Sequence, residues 1–448
     1  MLRCAISSCI CIVSSIRPDR LLAEPLLTLY SGLTRLLTPL GPAFLNWRKR
    51  RGKEDARRMG ERLGHASIAR PKGTLAWLHG ASVGEALALL PLVDALRAKG
   101  LNVLITTGTT SSAQILAQRL PPGAIHQFVP LDFPSSVKRF LDHWRPDLAM
   151  IAESEIWPNL IMATTARAIP LVMVNARLSE RSFQRWQKMP NFISALLKRV
   201  DLCLAQTRDD AARLMMLGAP RVQVAGNLKY DAPAPPADST KLAEVTAMIG
   251  PRPVWVAAST HAGEEEIILA VHRHLARRFP DLLTIIVPRH ANRGAEIAAL
   301  AEANGMSAGL RSQGDQPSAG RGIYIADTMG ELGLFYRVAS LIYVGKSLGA
   351  EGGQNPIEPA KLGGAILHGP HVANFAEVYD TLDRAGAAMM VADADMLAHA
   401  LATLLSDTAA LRRMARAAAE AVENLGGAAS NVMQALEPWI VQMRMERR

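Results

Sequence analysis

Short apolar runs alternate along this chain with longer segments whose apolar positions recur at helical spacing. Between residues 74 and 226 there are five such runs, each followed by at least ten residues of helical pattern. This alternation is typical of parallel strands joined by helices. The predicted strands are Leu75–Leu78, Val103–Thr106, Leu148–Ala152, Leu171–Val174 and Leu202–Ala205. The pattern therefore predicts a doubly wound α/β domain.

A proline-rich segment then interrupts the alternation. Three prolines fall within Asp231–Asp238, which is typical of an extended linker. The alternation resumes after it, and the predicted strands are Val254–Ala258, Leu283–Val287, Gly322–Ala326, Leu341–Val344 and Ala365–Leu367. We therefore expect a second doubly wound domain, followed from residue 397 by Ala-, Leu- and Arg-rich helices that pack back across the first domain.

Chain length and pattern together predict five segments. A chain of 448 residues is too long for one ordinary core, and two domains fit it best. The segments are an N-terminal extension (1–20), a membrane-associated anchor with basic residues (21–62), a first Rossmann-like domain (63–230), a linker (231–240) and a second Rossmann-like domain with the terminal helices (241–448).

Positive charge is concentrated near the N-terminus. The net charge is +10, and the basic run Arg48–Lys53 directly follows the Leu-rich segment Leu21–Trp47. Glu24, Arg35 and two prolines interrupt that segment, whereas a transmembrane helix needs about 20 apolar residues in a row. We expect an anchor that lies in the interface on the cytoplasmic side of a membrane. A first helix buried against protein is the alternative.

Cysteine usage and the first residues indicate a reducing compartment. Met1–Ile16 is apolar, but it has little positive charge beyond Arg3 and no clear cleavage site, so secretion is not expected. Three of the four cysteines lie in the first dozen residues, and none has zinc-site spacing. The aromatic content of 5% argues against base stacking on nucleic acid.

Two segments carry the same candidate chemistry. His79–Glu85 and Gly352–Glu358 each follow an apolar run, turn on glycine and place a carboxylate three residues after a capping side chain, Ser82 or Asn355. Ordinary helix capping is one interpretation of both. Because ligands bind beyond the carboxyl ends of parallel strands, Glu85 is also a candidate general base, and Glu358 a candidate acceptor of hydrogen bonds from a ribose diol.

Other polar residues follow predicted strands. Two acids, Glu153 and Glu155, come before Trp157–Pro158, which is expected to fix the turn so that at least one of them faces the cleft; solvated surface is the alternative. Arg289 offers a guanidinium fork for a phosphate. Two further segments, Ser259–Thr260 and Thr328–Glu331, are expected to cap helices and to present backbone amides to a phosphate. Lys229, at the end of the first domain, is expected to contact a phosphate or a carboxylate.

Several enzyme classes lack their motifs here. The sequence has no G-x-x-x-x-G-K-[ST], no G-x-G-x-x-G after the first strand and no H-E-x-x-H. The 11 histidines are scattered. Neither a metal nor a cofactor is therefore indicated.

Five motifs, taken in order, closely resemble the family of 3-deoxy-D-manno-octulosonic acid (Kdo) transferases. They are Trp77–Glu85, Ala152–Asn159, Gly226–Asp231, Pro288–His290 and Gly352–Pro359. The resemblance runs from about Leu26 to the C-terminal helices. It implies a GT-B glycosyltransferase fold with two Rossmann-like domains facing a central cleft. It also implies inverting, metal-independent transfer of Kdo from CMP-Kdo to a lipid A precursor, at the cytoplasmic face of the inner membrane.

The same resemblance assigns roles to individual residues. Glu85 is the proton acceptor, and Glu155 and Lys229 stabilise the transition state. The residues that the resemblance assigns to CMP binding are Pro288, Arg289, Met329, Gly330, Glu331, Asn355, Pro356, Ile357 and Glu358. CMP-Kdo is then a substrate, and no cofactor is expected. Met1–Asp19 precedes the point at which members of this family usually begin.

Two other functions stay open at this stage. One is another GT-B enzyme, such as a transferase that uses a UDP-sugar or a nucleotide-sugar epimerase. The other is a membrane-associated binding protein whose functional surface is the basic stretch Arg48–Arg62.

Overall fold

The computed structural model describes residues 25–318 and 320–445. They form two compact units: the described residues up to Ala232 together with those from Gly427, and Pro233–Gly426. The predicted extension 1–20 and the first residues of the predicted anchor lie outside the described part of the chain. Each unit is built on one parallel sheet of seven strands, as the alternation predicted.

The first unit has the strand order β3-β2-β1-β4-β5-β6-β7. Its strands are β1 (Leu75–His79), β2 (Asn102–Thr107), β3 (Ala124–Phe128), β4 (Leu148–Ala152), β5 (Leu171–Ala176), β6 (Leu202–Ala205) and β7 (Val222–Val224). All five predicted strands are present. The order reverses between β1 and β4, and the crevice beyond such a reversal is where doubly wound sheets bind ligands.

Helices cover both faces of this sheet. They are α1 (Pro25–Leu37), α2 (Gly41–Arg50), α3 (Met59–Arg62), α4 (Val83–Ala98), α5 (Thr110–Arg119), α6 (Pro134–Trp144), α7 (Pro158–Ala166), α8 (Glu180–Gln187), α9 (Pro190–Leu197), α10 (Arg208–Met216) and α19 (Ala428–Met445). One core contains Trp77 and Phe140, and the other contains Leu89 and Leu436. A strand buried on both faces explains why β1 and β4 are continuously apolar.

The second unit repeats the plan with the order β10-β11-β9-β8-β12-β13-β14. Its strands are β8 (Val254–Thr260), β9 (Leu283–Pro288), β10 (Ala308–Leu310), β11 (Ile323–Ile325), β12 (Leu341–Val344), β13 (Ala365–His368) and β14 (Ala388–Met390). Its helices are α11 (Ser239–Ile249), α12 (Glu264–Ala276), α13 (Gly294–Ala303), α14 (Leu332–Val338), α15 (Ile357–Lys361), α16 (Ala376–Arg384), α17 (Ala394–Ser406) and α18 (Thr408–Leu425).

The terminal helices divide between the units. Leu397, Leu401 and Met414 join the core of the second sheet, so α17 and α18 belong to the second unit. Only α19 belongs to the first unit, where Leu436 packs in a core with residues of α4, and Lys99 pairs with Glu437 at 2.5 Å. This differs from the expectation that all helices from residue 397 pack across the first domain. Their leucines fill the core of the second sheet instead.

Helix α1 has one packed face and one exposed face. Leu27 is buried, and the Tyr30 hydroxyl donates to Asp132 Oδ2 at 3.0 Å. One face of this helix therefore packs on protein, and the other face exposes apolar side chains. Among the described residues, no helix combines the length and the apolar character needed to cross a membrane. The exposed apolar side chains of α1, α2 and the 3₁₀ turn between them, here called the α1–α2 apolar face, are Leu26, Leu29, Leu33, Leu36, Leu37, Leu40, Phe44 and Trp47.

Candidate active site

The turn from β1 into α4 forms the predicted capping arrangement. Ser82 Oγ accepts from the Glu85 amide at 3.3 Å and donates to Glu85 Oε1 at 2.6 Å. Glu85 Oε2 accepts from the Ala81 amide at 2.8 Å. A Cβ at Gly80 would lie 3.0 Å from the Glu85 Cβ, so glycine is needed for this close approach. The turn thus fixes the Glu85 carboxylate at the carboxyl edge of the sheet.

A second carboxylate follows β4, the neighbouring strand. Glu153 has φ +50°, an uncommon conformation for a residue with a Cβ, and its Oε1 lies 2.7 Å from Lys229 Nζ. Lys229 sits on a 3₁₀ turn, Leu228–Tyr230. Asn175, also at positive φ, accepts from the Leu228 amide at 2.9 Å and fixes that turn to the end of β5. Lys229 is therefore held in an ion pair with Glu153.

A buried histidine faces the third carboxylate, Glu155. The side chain of His79 is fully buried, with Nδ1 within 3.1 Å of both the carbonyl and the hydroxyl oxygen of Thr106. Its Nε2 has no hydrogen-bond partner among the described residues and lies 3.7 Å from Glu155 Oε2. The indole Nε1 of Trp157 donates to the same oxygen at 2.6 Å. Two nitrogens, from His79 and Trp157, thus face the same oxygen of Glu155.

The surroundings of Glu85 and Glu155 move their pKa values in opposite directions. Burial raises the pKa of Glu85, and repulsion from Glu155 and Glu153 adds to this, against the opposing hydrogen bonds from Ser82 and Ala81. Burial also acts to raise the pKa of Glu155, but the contacts with His79 and Trp157 outweigh it, and the pKa falls below its usual value. Pairs of carboxyls tuned apart in this way are typical of acid–base sites.

The first unit thus brings its three predicted catalytic residues, Glu85, Glu155 and Lys229, into one cluster. His79 and Glu153 complete the cluster and received no role from the sequence. Both stand in segments that the sequence analysis had singled out, and His79 is the last residue of β1, directly before the glycine turn. Its polar side chain at the end of an apolar run was the available signal.

In the second unit, one buried carboxylate organises the loop that follows β12. Glu264, 1% exposed, accepts hydrogen bonds from the Tyr343 hydroxyl and from four backbone amides. Three of these amides belong to consecutive residues, Lys346–Leu348. This loop leads into the predicted nucleotide segment Asn355–Glu358. Sequence reasoning missed Glu264 because an acid in the first turn of a helix is expected at the surface.

Arg289 and Glu358 face a common neighbour. Burial raises the pKa of the Tyr336 phenol well above its usual value, Glu358 raises it further, and Arg289 opposes that rise. Both charges therefore act on one buried hydroxyl of α14. Arg289 is also fixed by its amide, which donates to the Thr260 carbonyl at 3.0 Å. The arginine after β9 and the carboxylate of the second glycine segment thus both influence the Tyr336 hydroxyl.

The second glycine segment forms the predicted capping contact, although its helix starts one residue later than expected. Asn355 Oδ1 accepts from the Ile357 amide at 3.0 Å, two residues on, which is a bond that capping side chains make. Pro356 has helical dihedral angles, φ −85° and ψ −9°, but helix α15 begins at Ile357, so Pro356 stands directly before it. The expectation that Pro356 is the first helical residue is therefore off by one position.

Two other predicted caps are wrong. Ser259 and Thr260 end β8, and the residue that caps the following helix is Gly263. The buried Thr260 hydroxyl donates to Glu265 Oε1 at 2.8 Å instead. Thr328 donates to Glu331 and caps no helix, since the N-cap residue of α14 is Glu331 itself.

The remaining predicted nucleotide residues lie at or after strand ends of the same sheet. Pro288 is the buried last residue of β9. Met329 is 82% exposed and Gly330 has φ +83°. The Glu331 carboxylate pairs with Arg311 and with Lys241, so its negative charge is already balanced by protein cations.

The described residues contain no group of three or more His, Cys, Asp or Glu side chains arranged to hold a metal ion.

Comparisons with known proteins concern the family of the chain. The family model for 3-deoxy-D-manno-octulosonic-acid transferase (Kdo transferase) matches residues 57–232, which include Glu85, Glu155 and Lys229. A probable mitochondrial 3-deoxy-D-manno-octulosonic acid transferase of Arabidopsis thaliana is 36% identical over 89% of this chain and 92% of its own length. The 3-deoxy-D-manno-octulosonic acid transferase of Haemophilus influenzae is 33% identical over 92% of this chain and 98% of its own length.

A solved structure supports the fold. The UDP-GlcNAc 2-epimerase of Neisseria meningitidis, solved with UDP-GlcNAc bound, superposes with a TM-score of 0.57 over 82% of this chain and 100% of its own, at 16% identity. At this identity the likeness concerns the fold alone, which is GT-B. Together with the relatives above, it leads to one conclusion: the chain belongs to the 3-deoxy-D-manno-octulosonic acid transferase family, whose members are glycosyltransferases.

Proposed function

We propose that the chain transfers Kdo from CMP-Kdo to a lipid A precursor of the lipid IVA type, with inversion at the anomeric carbon. The observation that carries this proposal is the cluster of Glu85, Glu155 and Lys229 at the carboxyl edge of the first sheet, in a chain of this family. Neither a metal nor a cofactor takes part, and CMP-Kdo is a substrate.

In the proposed reaction, Glu85 accepts the proton of an acceptor hydroxyl. The hydroxyl oxygen attacks the anomeric carbon of Kdo, and the bond from that carbon to the phosphate oxygen breaks with its electron pair leaving on CMP. Burial and two neighbouring acids raise the pKa of Glu85, which makes it a stronger base once ionised. Its two hydrogen bonds hold it in position for proton transfer.

Glu155 and Lys229 stabilise charge in the transition state. The bond to the leaving group breaks before the new bond is complete, so positive charge develops on the sugar ring. Glu155, whose pKa is lowered by His79 and Trp157, stays ionised to meet that charge. Lys229 faces negative charge on the substrate, and Glu153 orients its ammonium group. Preorganised charges of this kind are a large source of catalysis.

Nucleotide binding is proposed for the second unit. Arg289 offers a guanidinium to the donor, and Glu358 is suited to accept hydrogen bonds from a ribose diol. Both act on the Tyr336 hydroxyl, which supports a common location for them. The remaining proposed CMP contacts are Pro288, Met329, Gly330, Glu331, Asn355, Pro356 and Ile357, with Ser259 and Thr260 as phosphate contacts.

We also propose that the chain acts at the cytoplasmic face of the inner membrane, anchored by its N-terminal segment. The α1–α2 apolar face presents leucines beside Phe44 and Trp47, and the guanidinium of Arg51 lies 4.1 Å above the Trp47 ring. Apolar side chains next to basic ones favour binding to an anionic interface.

The membrane proposal is tested by sedimentation with vesicles that contain an anionic lipid. A double Leu33→Ser and Leu36→Ser variant is expected to lose most of its vesicle binding, because about 1.5 kcal/mol or more per leucine is no longer gained from burial in lipid. Ile68→Ser is the matched control, since Ile68 is exposed to a similar degree outside this face. Equal binding by all three proteins would contradict the proposal.

Product analysis by mass spectrometry tests the reaction. The purified full chain is incubated with a lipid A precursor and either CMP-Kdo or a UDP-sugar. We expect a lipid whose mass has increased by one or more Kdo residues, with CMP-Kdo only. Transfer from the UDP-sugar, or no Kdo-bearing lipid, would overturn the proposal.

A further inference from the structure

Backbone strain is concentrated at the carboxyl ends of strands in both units. Among the described residues, six non-glycine residues have positive φ. Glu153 and Asn175 belong to the cluster of the first unit. In the second unit the corresponding residues are Ser259, next to the end of β8, and Lys346, just after β12, with φ +57° and +59°. Strain of this kind tends to occur at functional positions.

The conformation of Lys346 is fixed from both sides. Its amide donates to Glu264 Oε2 at 2.7 Å, and its carbonyl accepts from the Gly353 amide at 2.7 Å. Left-handed backbone is unfavourable for a residue with a Cβ and is easily adopted by glycine. A lysine in this position therefore destabilises the loop slightly relative to glycine, and a function of its side chain would account for its presence.

Two histidines accompany Lys346. His261 follows β8 and His290 follows β9, and their ring centroids are 6.0 Å apart. Lys346 follows β12, which pairs with β8 on its other side. The Gly345 amide donates to the Ala258 carbonyl at 2.8 Å, which brings the start of the Lys346 loop to the end of β8. Three adjacent strands are thus each followed by a basic residue: His261, His290 or Lys346.

The electrostatics of His261 agree with this placement. Burial lowers the pKa of His261, and repulsion from Lys346 and His290 lowers it further. The Ser259 carbonyl and the Glu264 carboxylate oppose the fall. Glu264 is the acid of this set, and five donors already surround its two oxygens. Lys346 forms no ion pair within residues 25–318 and 320–445.

We propose that Lys346, flanked by His261 and His290, binds the phosphate of the donor nucleotide. The inference rests on the proposed function and adds to it three residues beyond those that the family resemblance assigned to CMP binding. When the bond between the anomeric carbon and the phosphate oxygen breaks, its electron pair stays on the phosphate, which goes from one negative charge to two. A cation at this point stabilises that added charge. The Kdo carboxylate is the other anion of the donor, and the test separates the two.

The test compares the affinities of the full chain for CMP and for cytidine, which differ only by the phosphate. Ligand-observed NMR measures both, including weak binding. The variant is Lys346→Gly, which removes the charge and leaves a residue that adopts this backbone without strain. Its melting temperature should therefore be unchanged or higher. Arg145→Gly is the matched control: it removes one cation from an exposed, positive-φ position at the end of α6, before the amino end of β4 in the first unit.

Lys346→Gly is expected to weaken CMP binding about tenfold while cytidine affinity stays within about twofold, and Arg145→Gly should change neither. Equal loss of CMP and cytidine affinity would overturn the proposal, because it would indicate damage to the site. An unchanged affinity for CMP would also overturn the proposal. If the affinity for CMP-Kdo alone fell in that case, Lys346 would bind the Kdo carboxylate instead of the phosphate. Failure of the wild-type chain to bind CMP at all would instead contradict the proposed function.

Discussion

The contact between His79 and Glu155 allows a test in which two similar substitutions have different outcomes. His79→Gln keeps an amide nitrogen close to the position of Nε2, facing Glu155. His79→Asn is one methylene shorter, so its amide reaches Thr106 but not Glu155. The two variants carry the same functional group and differ in which neighbour it reaches. His79 is a positioning residue in this account, because it acts through Glu155.

The size of the effect follows from the donors around Glu155 Oε2. It has an indole donor at 2.6 Å and the His79 nitrogen at 3.7 Å. A hydrogen bond to a charged group contributes roughly 1.5–3 kcal/mol. The distance here is longer than a hydrogen bond and Glu155 is partly exposed, so we take about 1.4 kcal/mol, which corresponds to about one pKa unit. His79→Asn should therefore raise the pKa of Glu155 by about one unit.

The sign of the effect on activity follows from the charge that Glu155 must carry. Burial acts to raise its pKa, yet the contacts with His79 and Trp157 lower it, so the ionised form persists to lower pH. Activity needs both Glu85 and Glu155 ionised, and Glu85, whose pKa is raised, sets the first loss of activity as pH falls. Protonation of Glu155 then steepens the lower part of the acid limb of the kcat profile. In His79→Asn this second step should begin about one unit higher in pH, whereas in His79→Gln it should stay close to wild type.

The assay is the pH dependence of initial transfer rates, with melting temperatures measured in parallel. Asparagine leaves a small cavity at this buried position, and this is expected to cost about 1–2 kcal/mol of stability. Rates on the alkaline plateau, where Glu155 is ionised in every variant, correct for such damage. If both amides moved the acid limb equally, or if neither moved it, the proposed role of His79 would be refuted.

Three further predictions concern the neighbouring contacts. Glu153→Gln removes the negative partner of Lys229, 2.7 Å away, so we expect kcat to fall about tenfold or more with little change in CMP affinity; an unchanged kcat measured at saturating substrate would contradict this. Ser82→Ala removes the cap of α4 and should lower the free energy of unfolding by about 1 kcal/mol in urea titrations, and a loss under a few tenths of that would argue against the capping role. The ion pair with Arg311 lowers the pKa of Glu331 to about 2, although partial burial acts to raise it. The stability that this ion pair contributes is therefore complete above the unfolded pKa of Glu331, near 4.5, and is lost as pH falls towards 2. Glu331→Gln should make the melting temperature less dependent on pH between these values, and a profile parallel to that of the wild type would contradict this prediction.

The sequence predicted the strands that are long and apolar. Five predicted strands of each sheet are present, and the two that were missed in each unit are short or polar. β3 contains His126 and Gln127, whose side chains bond to Thr107 and Trp144. β7, β10 and β14 have three residues each. Residues from elsewhere in the fold stabilise such strands, and the hydrophobic pattern of the strand itself does not indicate these residues.

The candidate site was predictable where its contacts are local. The Ser82–Glu85 arrangement spans four residues, and it formed as the pattern indicated. The contact predicted for Asn355 also formed, with the Ile357 amide, but the helix begins one residue later than the pattern indicated. Contacts that join different strands were out of reach of pattern reasoning. The approach of His79 to Glu155 depends on the pairing of β1 with β4, and the ion pair of Glu153 with Lys229 depends on Asn175 fixing a distant turn.

The central claim is that Glu85 accepts the proton of the acceptor hydroxyl while CMP leaves. Its most direct test compares the wild-type chain with Glu85→Gln in one reaction with CMP-Kdo and a lipid A precursor, followed by mass spectrometry of the lipid. Glutamine keeps the shape and an acceptor for the Ala81 amide but is not a base. We predict a Kdo-bearing lipid from the wild type, and from the variant a rate at least about a hundredfold lower with CMP binding unchanged. A variant that makes the same lipid at a rate near that of the wild type would contradict the account.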